Sequence, residues 1–416
     1  MVPSPEATEP GSPRLEGKGG FLPGLCPHFG PCGGCDALDR PYARQLDAKR
    51  AALLDRLRDV PGIDPAVVAP VLPDPHPLHY RNKAILPLAR SPRGGVLAGF
   101  YRRDTHRIVN LRRCDIQDPA LTAVATALRE EIARRRLPVG EEKGPAIRHL
   151  FLRLGRGTGE LMVALVTRGG LLPEAAALAE VAERAAVLAR DARGRPVRLV
   201  SFLRNLNSHP GNRVLGTRTV PLRGPAWIVD RLGRWRLRVS LGSFYQVNPA
   251  MTLRALRLAR DLLGRRPVPT RIVDGYCGIG LLAFALADRG KEVVGIERVG
   301  EAVADARWNA RANRLENVRF LEATVEDALA AELHREDLLI LDPPRAGCSE
   351  AVRAAVLGAV PQSILYVSCH PRFLARDLAA LAAEYAIVAV RPLDFFPHTD
   401  HLEILVLLRR HGRAPT

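Results

Sequence analysis

The spacing of hydrophobic and polar positions changes at about residue 240 of this 416-residue chain. Before that point, apolar residues at helical intervals are mixed with segments whose apolar residues recur at every second position, which is typical of an α+β region. Helices are predicted at 40–59, 118–136 and 173–190. Strands are predicted at 79–90, 96–110, 147–154 and 160–167, and within 197–240.

After residue 240, short apolar strands alternate with helices, which predicts a doubly wound, Rossmann-like α/β sheet. Strands are predicted at 271–273, 292–296, 318–321, 338–341 and 363–368, with a terminal antiparallel pair at 386–394 and 402–409. Helices are predicted at 250–264, 281–289 and 299–314, and after the last two parallel strands. The predicted organisation is a Pro- and Gly-rich flexible tail (1–24), a basic α+β region (25–240) and an α/β domain (241–416).

Positive charge is concentrated in the first part of the chain. Residues 1–240 contain 39 Lys and Arg against 23 Asp and Glu, whereas residues 241–416 contain 22 against 21. The arginine bias that a GC-rich genome produces would spread the excess of positive charge over both parts of the chain. The imbalance therefore predicts that the basic region contacts the phosphates of a nucleic acid. Local charge density singles out Arg102, Arg103, Arg112, Arg113 and Arg204 as RNA-contacting candidates.

The sequence has no feature of a membrane or exported protein. No apolar run is long enough to span a bilayer, and the N-terminus lacks the basic and then apolar stretches of a secretory signal. Seven cysteines are too few for a disulfide scaffold and odd in number, which favours a reducing compartment. We therefore expect a cytoplasmic protein, and we expect it to be a monomer.

A glycine-rich loop follows the first predicted strand of the α/β domain. Residues 274–280 read Asp-Gly-Tyr-Cys-Gly-Ile-Gly, a spacing that differs from the G-x-G-x-x-G of dinucleotide sites. Glu297 stands at the tip of the next strand, where a carboxylate can accept both hydroxyls of a ribose. An acidic residue before the glycines repels a pyrophosphate and suits a cation, so the loop favours S-adenosylmethionine. The alternative is a tight structural turn.

Three more reactive groups lie at strand ends of the same domain. Asp342 follows one strand within Asp-Pro-Pro-Arg, and Cys369 follows the next, before a helix whose N-terminus is expected to lower the pKa of the thiol. Glu403 lies at the start of the last predicted strand. A carboxylate opposite a thiol provides a base for proton removal. The alternatives are an Asp-Pro turn, an inert buried cysteine and a surface carboxylate.

Four cysteines outside this domain have the spacing of a metal or cluster site. Cys26, Cys32 and Cys35 form C-x5-C-x2-C, and Cys114 stands alone downstream. Four thiolates match either a [4Fe–4S] cluster or a tetrahedral zinc ion, and the spacing alone does not decide between them. The C-x3-C-x2-C pattern of radical S-adenosylmethionine enzymes is absent, so we expect a structural role for the group that these cysteines hold.

Five segments of the α/β domain, taken in order, form a recognisable set. They are 243–249 (Ser-Phe-Tyr-Gln-Val-Asn-Pro), 274–280, 342–347 (Asp-Pro-Pro-Arg-Ala-Gly), 368–371 (Ser-Cys-His-Pro) and 398–403 (His-Thr-Asp-His-Leu-Glu). In these segments the domain resembles the RNA uracil-5-methyltransferases, which make 5-methyluridine in tRNA or 23S ribosomal RNA. The resemblance implies a class I methyltransferase domain. It extends forward to the cysteine segment, whose spacing occurs in iron–sulfur members of the family and therefore favours [4Fe–4S] over zinc.

The resemblance also implies roles for individual residues. It places Gln246, Tyr276, Glu297 and Asp342 at S-adenosylmethionine-binding positions, Cys369 at the nucleophile and Glu403 at the general base. In the implied reaction, Cys369 adds to C6 of uracil, C5 takes the methyl group, and Glu403 removes the C5 proton. The target base has to leave its stack or loop to enter such a site.

Two other functions are compatible with parts of the sequence. Amino-group methyltransferases also carry an acidic-Pro-Pro motif, but they need no nucleophilic cysteine and usually have an aromatic residue where Arg345 stands. An RNA-binding module with a vestigial methyltransferase fold would not need to keep Cys369, Glu403 and the cofactor loop. These residues together favour methylation of uracil C5.

The chain departs from the family pattern in three places. His370 replaces a common Asn, and Leu281 stands where a polar residue is frequent. Only 25 residues precede Cys26, too few for the N-terminal β-barrel RNA-binding domain, the TRAM domain, that many members carry. We therefore expect the basic region to supply RNA binding.

Overall fold

The computed structural model describes residues 26–209, 211, 213–264, 269 and 271–412. The predicted flexible tail, residues 1–24, lies outside the described residues. Within these ranges, no helix is both long and apolar enough to cross a lipid bilayer.

The basic region is built on a seven-stranded sheet in which all pairs but one are antiparallel. Its strands, in the spatial order 3-2-1-4-5-6-7, are β1 (Lys83–Arg90), β2 (Val96–Tyr101), β3 (Ile108–Asn110), β4 (Ile147–Gly155), β5 (Glu160–Thr167), β6 (Arg198–Leu206) and β7 (Arg218–Arg223). The region also contains the helices α1 (Tyr42–Leu57), α2 (Pro119–Arg134) and α3 (Ala175–Leu188). Helices α2 and α3 share an apolar core with the sheet.

Local sequence explains most of these elements. The predicted hairpin is confirmed as β4 and β5, whose inward positions are apolar. Helix α2 begins where Asp118 accepts a hydrogen bond from the backbone N–H of Ala120, with Pro119 at the first helical position. The strand predicted at 96–110 is instead two strands, β2 and β3, because the chain turns at Asp104, which has a φ of 56°.

The second sheet also has seven strands. Its strands are β10 (Arg271–Gly275), β11 (Glu292–Glu297), β12 (Val318–Glu322), β13 (Leu338–Leu341), β14 (Ser363–Ser368), β15 (Tyr385–Leu393) and β16 (Glu403–Arg410). Its helices are α4 (Pro249–Leu263), α5 (Leu281–Leu286), α6 (Gly300–Ala312), α7 (Val325–Glu332), α8 (Glu350–Ala359) and α9 (Pro371–Leu381). A separate hairpin, β8 (Trp227–Leu232) and β9 (Trp235–Ser240), precedes them.

The strand order of the second sheet is 12-11-10-13-14-16-15. Strand β16 runs antiparallel to both of its neighbours, β14 and β15. The predicted Rossmann-like sheet and its terminal antiparallel pair are thereby confirmed. The order reverses between β10 and β13, and ligands of such sheets bind in the crevice at that point. Helix α7 was not expected from the sequence, although Thr324 caps it by accepting a hydrogen bond from the backbone N–H of Asp327.

The two sheets are joined by more than the chain between them. Helix α1 belongs to the basic region by sequence, but Leu53 and Leu57 are buried in the same apolar core as Val273 and Leu339 of the second sheet. The backbone N–H groups of residues 69 and 72 also donate hydrogen bonds to carbonyls of β15. Helix α1 and the segment around residues 69–72 therefore pack against the second sheet, although they precede β1 in the chain.

The hairpin joins the second domain through an unusual set of hydrogen bonds. Alternate backbone N–H groups of β9 donate to side chains one helical turn apart on α6. The donors are Arg236, Arg238 and Ser240, and the acceptors are Asn313, Asn309 and Asp305, at 2.9, 2.6 and 2.7 Å respectively. The helix thereby satisfies a strand edge that would otherwise be left unpaired.

Candidate active site

A pocket opens at the carboxyl ends of β10 and β13, where the strand order reverses. Four residues predicted from the sequence line this pocket: Gln246, Tyr276, Asp342 and Glu403. The pocket also contains the exposed ring of Phe244, which is 60% accessible. The fold therefore brings together side chains that are as far as 157 positions apart in the sequence.

The glycine-rich loop after β10 is held by Glu297 at the end of β11. The carboxylate of Glu297 accepts hydrogen bonds from the backbone N–H of Gly278 at 3.1 Å and from that of Val299 at 2.8 Å. Gly280 has a φ of +91°, and a Cβ there would lie 2.6 Å from the ring of Phe284. Only glycine fits that position, and Glu297 lies beside the loop as predicted.

The floor of the pocket is acidic and buried. Asp274 is 1% exposed; one of its oxygens accepts a hydrogen bond from the backbone N–H of Ala283, and the other has no hydrogen-bond partner in the described part of the chain. Burial, and then the negative charge of Asp342, raise the pKa of Asp274 well above its usual range. Burial raises the pKa of Asp342 to about 7. An orphaned carboxylate oxygen beside a glycine loop fits a cationic ligand such as the sulfonium of S-adenosylmethionine.

Cys369 and Glu403 lie at the same end of two neighbouring strands. Cys369 follows β14 and Glu403 begins β16, and these antiparallel strands pair Ser368 with Ile404. Glu403 is only 6% exposed. This burial, and then the charge of Asp342, raise its pKa to about 8. The structure therefore places the predicted nucleophile and the predicted base beside each other.

The pKa of the Cys369 thiol is raised to about 11. Burial is the main cause, followed by the charges of Glu403 and Asp342, while Arg345 acts in the opposite direction. The expected lowering by the N-terminus of α9 is therefore wrong for this structure, because burial and two carboxylates outweigh it. Arg345, which the sequence analysis did not assign to catalysis, is the cation that acts on both Cys369 and Glu403.

The loop before Glu403 is fixed by residues from the start of the described chain. The backbone N–H groups of Asp36 and Ala37 donate to the carbonyl of His398 at 2.8 and 3.1 Å, and Gln45 accepts a hydrogen bond from the N–H of His398 at 3.1 Å. The hydroxyl of Tyr80 donates to the carbonyl of Pro397 at 3.2 Å. His398 has a φ of +66°, a conformation that a side chain normally disfavours and that these contacts stabilise.

The ion pair between Lys49 of α1 and Asp394 supports the same loop. The two side chains are almost fully buried, and their charged atoms are 2.6 Å apart. Lys49 also donates to the carbonyl of His401 at 2.9 Å, and Tyr42 donates to the second oxygen of Asp394 at 2.8 Å. Nothing in the sequence pattern pointed to this pair, whose members are 345 positions apart.

The four predicted cysteine ligands line one small pocket. Cys26, Cys32, Cys35 and Cys114 all contribute to its wall. Burial raises the pKa of the Cys35 thiol far above its usual range, and the other three thiols raise it further. Across the residues with described placement, however, no three His, Cys, Asp or Glu side chains are arranged so that they could hold a metal ion. The cluster therefore stays a prediction.

The five arginines predicted to contact RNA have different surroundings. Arg102 and Arg112 are exposed beside the cysteine segment, where Cys32 bridges to Arg102 and the backbone N–H of Arg112 donates to His28. Arg103 forms an ion pair with Asp36 and Arg113 forms one with Asp115. Arg204 donates to the side chain of Thr167 and to two backbone carbonyls, so its guanidinium is used within the fold.

Arg153 is a residue of the site that sequence reasoning missed. It is 2% exposed on β4 and donates to the carbonyls of Ser240 and Ser243 at 2.6 and 2.9 Å. It thereby fixes the segment that leads to Gln246. The available signal was an arginine within the otherwise apolar run 150–154 of the strand.

Comparisons with known proteins agree with this geometry. The profile of the tRNA (uracil-5-)-methyltransferase family matches residues 228–411. An uncharacterized RNA methyltransferase of Thermosynechococcus vestitus is 37% identical over 385 residues, which are 91% of this chain and 82% of that protein. A second one, from Gloeobacter violaceus, is 39% identical over 395 residues, which are 92% of this chain and 82% of that protein.

A solved structure has the same architecture. The tRNA (uracil-54, C5)-methyltransferase of Pyrococcus abyssi, in complex with S-adenosyl-L-homocysteine, matches with a TM-score of 0.72 and 27% identity. The match covers 91% of this chain and 84% of that one. The chain belongs to the RNA (uracil-5-)-methyltransferase family.

Proposed function

We propose that the protein methylates C5 of uracil in RNA and that its substrate is tRNA or 23S ribosomal RNA. The observation that carries the proposal is the placement of Cys369 beside Glu403, at the edge of a pocket with an acidic floor. In this proposal residues 25–240 supply most of the RNA contacts, and residues 241–416 supply the reaction site. Amino-group methylation needs neither the thiol nor the adjacent carboxylate.

Four residues are proposed to hold S-adenosylmethionine: Gln246, Tyr276, Glu297 and Asp342. Glu297 lies at the end of β11, where a carboxylate suits the ribose hydroxyls. The cofactor, when bound, supplies from its sulfonium the methyl group that C5 accepts. The carboxylates of Asp274 and Asp342 favour a positive ligand, since each of them ionises more readily beside a cation.

Cys369 is proposed to activate the base. As a thiolate it forms a bond to C6 of uracil, and the displaced electron pair makes C5 nucleophilic. Glu403 then takes the proton from methylated C5, the C5–C6 double bond re-forms, and the sulfur of Cys369 leaves as a thiolate. A pKa of about 8 makes Glu403 a stronger base than an ordinary carboxylate near neutral pH.

The proposal is tested with RNA that contains 5-fluorouridine. A C5 fluorine cannot leave as the proton does, so the adduct with Cys369 persists and can be seen on a denaturing gel. We expect an adduct with the wild-type protein and S-adenosylmethionine, and none with Cys369→Ala. Methyl transfer to tRNA or ribosomal RNA without an adduct would indicate amino-group chemistry. Failure to bind the cofactor would indicate a module without enzymatic activity.

The natural target is identified in cells. RNA from a deletion strain should lack 5-methyluridine at one or more positions of tRNA or 23S ribosomal RNA that the parent strain modifies. Restoring the wild-type gene should restore the modification, and restoring the Cys369→Ala variant should not. An unchanged modification map in the deletion strain would contradict the proposed substrate class.

We also propose that Cys26, Cys32, Cys35 and Cys114 hold a structural [4Fe–4S] cluster, with zinc as the second candidate. The spacing of the cysteines and the pocket that they share support this assignment. Four thiolates are the usual ligand set of such a cluster. Anaerobically purified protein should be brown and contain iron and sulfide. Colourless protein that contains zinc and no iron would contradict the assignment.

A further inference from the structure

Two cations lie beside the active-site pocket on the side of the first sheet. Lys83 is the first residue of β1, and its Nζ lies 5.9 Å from the centroid of the Phe244 ring, which lines the pocket. Arg81, two residues earlier, places its charge near Lys83 and also near His401, in the loop before Glu403. The two cations therefore border the pocket between Phe244 and that loop.

Lys83 has cations as its charged neighbours. The charges that act on it belong to Arg153, its pairing partner on β4, and to Arg81. Burial and these two positive charges lower the pKa of Lys83 to about 7. The Nε of Arg81 is buried and has no hydrogen-bond partner among the described residues. The Nε of Arg153 lacks a partner as well, but both terminal nitrogens of its guanidinium donate to carbonyls. No such hydrogen bond is formed by the side chain of Lys83 or Arg81 among the described residues.

Lys49 shows how the same chain treats a lysine that serves the fold. Lys49 is 8% exposed and is paired with Asp394 at 2.6 Å. Lys83 is only half-buried, but it forms no ion pair among the described residues. A cation that is partly removed from water without such a partner costs free energy, and proteins accept that cost mostly where a ligand compensates it. The contrast between Lys49 and Lys83 therefore points to an anionic ligand at Lys83.

We infer that Lys83 and Arg81 bind a backbone phosphate of the RNA, next to the nucleotide whose base enters the pocket. A compact ammonium and a guanidinium are the usual protein groups for a phosphate oxygen. The position beside Phe244 and near the loop before Glu403 fits the nucleotide adjacent to the target. This inference rests on the proposed function in that it takes RNA as the substrate. The other anion that could reach the pocket is the carboxylate of S-adenosylmethionine, and the experiment separates the two.

The test measures binding of a fluorescent nine-residue oligouridine by anisotropy over about 50–200 mM salt. Lys83→Gln is compared with Lys83→Arg and with Lys291→Gln. Lys291→Gln is a matched control that removes the same charge from an exposed lysine directly before β11, at the end of that strand away from the pocket. We expect Lys83→Gln to weaken binding about 10-fold at the lowest salt and to reduce the log–log salt slope by about 0.7, the contribution of one single-strand phosphate. Lys83→Arg and Lys291→Gln should retain the wild-type slope.

Two results would overturn the inference. One is a Lys83→Gln protein whose oligouridine affinity and salt slope match those of Lys291→Gln. The other is a loss of S-adenosylhomocysteine affinity with unchanged RNA binding, which would assign Lys83 to the cofactor carboxylate. Arg81→Gln serves as the second variant, with the same expected change in slope, should Lys83→Gln fail to fold. The binding experiment does not depend on methylation, so the two proposals can fail separately. If the salt slope of oligouridine binding depends on Lys83 but the protein makes no 5-methyluridine, the phosphate site is supported and the proposed function is rejected.

Discussion

The floor and the rim of the active-site pocket contain charges of opposite sign, and neither set forms an ion pair with another described residue. Asp274 and Asp342 form an acidic floor whose carboxyl pKa values are raised by burial. Lys83 and Arg81 form a cationic rim. Lys49 and Asp394, in contrast, form a buried ion pair with each other. The difference teaches that the ligand supplies the missing charge: a cation at the floor and an anion at the rim.

Neutralising the proposed base, Glu403, next to the acidic floor should have the largest effect. We expect Glu403→Gln to allow attack and methyl transfer but to slow proton removal about 10²- to 10⁴-fold. A covalent, methylated protein–RNA species should accumulate and survive denaturation, which gel electrophoresis and mass spectrometry would detect. Near wild-type turnover would show that the carboxylate is not the base, and Asp342 or an ordered water would be tested next.

The pH dependence of adduct decay tests the assignment of Glu403 as the base. Glu403 accepts a proton only when ionised, and its pKa is raised to about 8. The rate of proton removal in a single turnover should therefore rise roughly tenfold per pH unit below that value and level off above it. A rate that does not vary between pH 6 and pH 9 would contradict this role.

The loop before the base tests what a hydrogen-bonded support contributes. Gln45 is buried and bonds to His398 and to the carbonyls of Ala37 and Arg40. Gln45→Met keeps the length but removes these bonds, which should cost about 1–3 kcal/mol of unfolding free energy. Turnover should fall more than affinity for S-adenosylhomocysteine, since the loop leads to Glu403 and not to the glycine-rich loop. Equal losses of both would indicate general destabilisation.

The reactivity of the thiol gives the smallest expected effect. Alkylation of Cys369 by iodoacetamide should follow a pKa of about 11 in the free protein. Glu403→Gln should lower that pKa and speed alkylation several-fold at pH 8, since one of the negative charges that disfavour the thiolate is removed. The same rate in both proteins would mean that Glu403 does not act on the thiol. Cys369→Ala identifies the background from the other cysteines.

Much of the site could be predicted because its signals are local. The strand–helix alternation, the loop at 274–280 and the positions of Cys369 and Glu403 at strand ends all lie within short windows, and parallel strands end at one edge of a sheet. Helix α7 was missed because it is only eight residues long, although Thr324 and Asp327 form a recognisable cap.

Tertiary structure decided what depends on residues far apart in the chain. The sequence by itself determined the Rossmann-like order of elements and the reactive groups, since both follow from periodicity and spacing. It did not determine that the pKa of Cys369 is raised or that α1 packs on the second sheet. It also did not determine that Lys83 has no carboxylate as an ion-pair partner among the described residues. Burial and the electric field at a site are set by every group folded around it, and those groups come from both sheets.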